Sequence, residues 1–257
     1  MESLSSTQTK IVVALGRYKF LTISQMLRLE VATQRSNITA NLSKLKQGKH
    51  PLIGQINFPF IPHHGRCENM YYLKPRAKEL LRDELFIDET TIKVPLGSSV
   101  AFTSDYWHRK YTIDSFIELD LEAKDKQETI VWFDYYFDKL DKASSGTNAK
   151  NKIDLGSGSY IVPDGVFVKQ TADKQELWLL ELFNDSEANR PYETLIKHRE
   201  ALILGSPSEK YQFTIANKVL CTFTSENVYK KVKERFEKDE RLENFKEYFN
   251  FHLIDIS

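Results

Sequence analysis

Two acidic residues interrupt what are otherwise apolar runs. Asp164 lies in SYIVPDGVFVKQ (159–170), and Glu181 comes near the end of QELWLLELF (175–183). Both runs read as buried β-strands, and the turn-forming TADK between them predicts an adjacent pair. A buried carboxylate is costly unless something pairs with it. Two carboxylates carried to one end of a sheet also repel each other, and one would stay protonated unless a cation lay between them. A hard divalent ion such as Mg²⁺, held through oxygen ligands and water, could be that cation. With a phosphodiester present it would activate water and stabilise charge on the scissile group. Asp164 and Glu181 are therefore the candidate metal ligands and catalytic acids.

A basic group near them is offered by the next predicted element. On the following helix, RPYETLIKHREALIL, a helical wheel started at Tyr192 gathers Leu195, Ile196, Leu202 and Ile203 on one side. Arg199 falls within that apolar face and Lys197 points away, which makes Arg199 the third candidate catalytic residue. The same arrangement is equally what a buried ion pair of Arg199 with Asp164 or Glu181 would need, with no chemistry at all. Glu118, Glu122 and Asp134 are further acids that could join the group. His108 and His198 read as packing or surface residues, and Trp178 and Phe183 as core. Tyr135, Tyr136 and Tyr192 could serve a tyrosine-nucleophile chemistry, but no His-hydrophobe-His cluster accompanies them.

The elements expected to position these residues run α-β-β-β-α-β-α-β over 105–257, a mixed sheet flanked by helices and an α+β or α/β domain. The first 88 residues follow another rhythm. A short helix ending near Gly16 precedes LTISQMLRLE, where Thr22 is placed as an N-cap. In TQRSNITANLSKLKQGKH, Ile38, Leu42 and Leu45 make one stripe. LIGQINFPFI and ENMYYLKP alternate like two strands joined by PHHGR, and PRAKELLRDEL closes the unit. Three helices, a hairpin and a further helix make a winged helix-turn-helix. Its third helix, with Gln34, Arg35, Asn37, Asn41 and Lys44 off the apolar stripe, is the expected groove reader. The wing tip adds His64 and Arg66 along the backbone of the double-stranded DNA.

Charge separates the two parts. Residues 1–85 hold 13 Lys and Arg against 6 Asp and Glu, a net +7 that the remainder offsets with −7. A basic arm and an acidic body suit a polyanion grip joined to a domain able to gather divalent cations. Residues 89–104 read as a linker, with Pro95 and Gly97 breaking any period. Two cysteines without CxxC spacing argue against a disulfide framework or a zinc site. No apolar run is long enough for a bilayer and no signal-like segment opens the chain, so a cytoplasmic protein away from membranes is expected.

The acid pair resembles the PD-(D/E)xK nuclease pattern, with Pro163-Asp164 as the PD and Glu181 as the second acid; Phe183 stands where that pattern has lysine. Over almost the whole chain, FLTISQMLRLE, YYLKPRAKELL, HRKYTIDSFIEL, VPDGVFV and LLELFNDSE resemble segments of the replication-relaxation family of plasmid and mobile-element proteins. The resemblance implies a restriction-endonuclease-like second domain and a DNA-binding role in plasmid replication or in nicking and relaxing DNA. Two functions stay open: metal-dependent cleavage with Mg²⁺ on Asp164 and Glu181 and Arg199 on the phosphate, or a non-catalytic replication initiator or regulator. In the second, a degenerate nuclease fold serves as a platform for homodimerisation or for a partner.

Overall fold

In the first unit, helix ends are set by local chemistry. The computed structural model describes residues 4–58, 60–61, 65–95, 100, 105–138 and 149–254. Helix α1 (Ser6–Tyr18) and helix α2 (Ile23–Arg28) each begin in a capping box, Ser5 with Gln8 and Thr22 with Gln25. These reciprocal bonds satisfy amide groups that a helix start otherwise leaves unpaired. Helix α3 (Arg35–Leu45) has no such side-chain cap and is held instead by burial of Ile38, Leu42 and Leu45. It packs on α1 and α2.

Strand β1 (Ile53–Ile56) pairs antiparallel with β4 (Met70–Leu73), while the short β2 (Phe60–Ile61) and β3 (Gly65–Arg66) pair between them. A bridge from Leu21 to Tyr71 ties the hairpin to the segment before α2. Helix α4 (Pro75–Asp83) starts at a proline, whose missing N–H is harmless there. Gly16 lets α1 approach it closely, since a Cβ on Gly16 would stand 2.9 Å from Leu81 Cδ1.

The protein is a mixed α+β chain of two compact units, Met1–Ile117 and Glu118–Ser257. Helix α5 (Tyr106–Asp125) runs through the division between them. The second unit is built on one mixed sheet. Strands β5 (Thr129–Tyr135), β8 (Gly165–Gln170) and β9 (Gln175–Phe183) form an antiparallel meander; β10 (Lys218–Phe223) and β11 (Phe249–Leu253) continue it in parallel with β9, giving the order β11-β10-β9-β8-β5. Parallel neighbours need crossovers, supplied here by α6 (Asn189–Leu204) with α7 (Ser206–Tyr211), and by α8 (Glu226–Lys238) with a following 3₁₀ segment.

The segment 159–170, expected as one strand, is two. Strand β7 (Ser159–Ile161) pairs with β6 (Ile153–Gly156) in a separate hairpin, and Pro163 and Asp164 divide it from β8. A proline cannot donate to a ladder, so the break falls where sheet pairing would fail. Among the described residues, no helix is long and apolar enough to cross a membrane.

Candidate functional site

Strand register decides whether the two acids meet. Gly165 lies opposite Leu180 across the β8–β9 pair, and Val166 opposite Leu179. Asp164, in the bend just before β8, and Glu181, one step on along β9, therefore lie at the same end of that pair. Asp134 is paired with Val166 across the β5–β8 pair.

Each acid is deeply placed and bonded within the protein. Asp164, 9% exposed, accepts the Leu182 amide through Oδ2 at 2.7 Å, and its carbonyl accepts from the Tyr136 amide. The preceding carbonyl, Pro163 O, accepts from Asn151 Nδ2 at 2.6 Å. Glu181 is 8% exposed, and its Oε1 lies 2.5 Å from Nε2 of His198, which is wholly buried. Cys221 is the register partner of Glu181 on β10. Burial, and then the Glu181 carboxylate, push the Cys221 thiol well above its usual range, which leaves it a poor nucleophile.

The side chain that α6 presents to Glu181 is therefore His198, and Arg199 is turned elsewhere. Arg199 Nε donates to the Arg241 carbonyl at 2.6 Å, and its guanidinium stacks 5.3 Å from the Phe245 ring. The buried positions Tyr192, Leu195, His198 and Ala201 explain the difference: they recur every three residues, a stripe that includes position 198 and passes over 199. That spacing was the signal available in the sequence, and it was missed because a histidine reads as neutral to burial. Phe183 joins Tyr192, Leu195, Val219, Cys221 and Phe223 in the core. The remaining acid, Asp134, is 3.0 Å from Lys150 Nζ. Burial and then the Asp134 charge raise the Tyr211 hydroxyl.

Asp164 and Glu181 offer the hard oxygen donors that Mg²⁺ takes. A backbone amide and an imidazole are among the partners they already have, and among the described residues no three His, Cys, Asp or Glu side chains gather as a metal group. Both acids are thus already bonded within the protein.

The second set of candidates lies on α3. Gln34, the N-cap residue, and Arg35, Asn37 and Lys44 are exposed, while Ile38, Leu42 and Leu45 are buried. Asn41 is half-buried: its Nδ2 donates to the Asn37 carbonyl and to Asn37 Oδ1, and its Oδ1 accepts from the Ser5 hydroxyl. Arg35 donates to Glu68, a residue the sequence reading passed over. Beyond the end of α3, Lys44, His50 and Arg76 border a cleft of about 480 Å³. His64 lies outside the described residues, and of Arg66 only its place in β3 is described.

Compared with known protein families, with characterised proteins and with solved structures, the chain matches none.

Proposed function

We propose that this chain is a DNA-binding protein. Its first unit acts as a winged helix-turn-helix that sets α3 in the major groove, and its second as a nuclease-like framework without a working cutting centre. The observation that carries the reading is the two-sidedness of α3. Ile38, Leu42 and Leu45 are buried while Gln34, Arg35, Asn37 and Lys44 face outward, in a segment with a net +7. Amide and guanidinium groups of these kinds bond base edges, and Lys44 suits a phosphate.

For the second unit, the bonds already made favour the non-catalytic reading. Glu181 meets His198, Phe183 lies in the core where a nuclease lysine would stand, and Arg199 engages Arg241 and Phe245. Replication initiation or transcriptional control on a plasmid or mobile element is the setting that the family resemblance suggests. A homodimer would place two α3 helices one turn of DNA apart, about 34 Å.

The competing reading, metal-dependent nicking, has one observation in its favour: the β8–β9 register carries Asp164 and Glu181 to the same end of the sheet. One experiment separates the two. The purified chain is expected to retard a duplex on a gel, and to leave supercoiled plasmid uncut in Mg²⁺ or Mn²⁺. Open circles that appear with the unaltered protein and vanish with Asp164→Ala would establish the enzyme instead. Failure to retard any duplex would remove the DNA reading itself.

A further inference from the structure

The first residue of α3 is held from two directions. Arg35 donates through Nη2 to Glu68 Oε1, and its Nη1 lies 3.4 Å from the Ser24 hydroxyl on α2. Glu68 sits between β3 and β4, and its own amide donates to the hydroxyl of the buried Tyr106 at 3.1 Å. The carboxylate that grips Arg35 is thus fastened at its backbone to the core of the unit.

Two costs attach to Glu68. A surface ion pair contributes little to stability. A negative charge beside a DNA-facing helix also opposes the phosphates. What the contact does supply is direction. A guanidinium has five N–H donors in a rigid fork, and these two bonds leave three. The Arg35 side chain stays 55% exposed, so the remaining donors are open to a ligand. The N-terminal residues of a reading helix are the ones that reach base edges, and arginine pairs with guanine O6 and N7 through two parallel bonds. An arginine already held loses less conformational freedom on making them.

We propose that Glu68 is a positioning residue that fixes Arg35 as a reader of guanine. The inference rests on the DNA-binding reading and adds to it the base recognised and the residue that orients its reader.

The test is selection of bound duplexes from a randomised library, followed by sequencing, with the full chain unaltered and with Glu68→Gln and Arg35→Lys. The unaltered protein is expected to select a site with a guanine at one position. Both variants should lower that preference by about tenfold, the size of one good bidentate pair. Glu68→Gln should bind random-sequence duplex more tightly, having lost a negative charge, whereas Arg35→Lys should bind it as the unaltered protein does. Thermal unfolding of both should match the unaltered chain, because the pair is exposed. A site without a guanine position, or a guanine preference that Glu68→Gln retains, would overturn the inference and leave DNA binding standing. No selection of any duplex by the unaltered protein would sink both.

Discussion

The outer face of α3 and the acid pair on β8–β9 both carry polar groups, and the protein treats them in opposite ways. On α3 the polar side chains make few bonds, such as Asn41 to Asn37 and Arg35 to Glu68, and Arg35 keeps more than half of its side chain in solvent. On the sheet, Asp164 and Glu181 are nearly closed to solvent and meet a fixed amide and a fixed imidazole. Surface groups with spare donors are suited to exchanging water for a ligand, because little has to break first. Buried groups with made bonds stabilise the fold, and removing one partner exposes the desolvation cost of the other. The lesson is that acids brought together inside a fold need not be its chemistry.

The largest effect expected from this contrast is on His198. Replacing it with alanine strands Glu181 in the core and opens a cavity, and should cost about 3 kcal/mol or more of stability in chemical denaturation. Arg199→Ala on the next residue should cost under about 1 kcal/mol. Equal losses at the two positions would break the assignment of His198 as the buried partner.

Next in size is Gly16. Valine there would press on Leu81 Cδ1, and a loss of about 1–3 kcal/mol is expected for such overpacking. DNA binding at temperatures well below the transition should be unchanged.

Acid sensitivity should trace to Glu176. Burial pushes its carboxyl up, but bonds from Lys174 and Lys218 outweigh that and hold it at about 2. A carboxyl depressed in the folded state contributes stability above its ordinary value, 4.5, and loses it as pH falls toward about 2. Glu176→Gln should therefore lower stability at neutral pH and flatten the decline across that window. An unaltered acid profile would contradict it.

The smallest effect on the fold should come from Lys44→Ala, within about 0.5 kcal/mol. Its consequence should fall on DNA affinity alone.

Much of the first unit was legible because its signals are local. Thr22 caps α2 three residues from its partner Gln25, and the stripe Ile38, Leu42 and Leu45 declares which side of α3 is buried. The order of the second unit's main elements was also legible from apolar runs punctuated by turns. What escaped were the short pieces and the long-range partners. The β6–β7 hairpin turns through Gly156, Ser157 and Gly158, all at positive φ, yet its strands are too brief for a period to register. Gly205 and Pro207 mark the bend into α7 in the same unobtrusive way. Glu181 and His198 are 17 positions apart and meet only because a crossover lays α6 on that sheet face, which no local pattern reveals.

The central claim is that α3 is the DNA-facing surface of this protein, and salt dependence of duplex binding tests it most directly. Anisotropy titrations of a labelled duplex at several salt concentrations should give log affinity falling linearly with log salt for the unaltered chain. Lys44→Ala should reduce that slope by about 0.9, one phosphate contact's worth. A slope that Lys44→Ala leaves untouched, or an affinity indifferent to salt, would contradict the account.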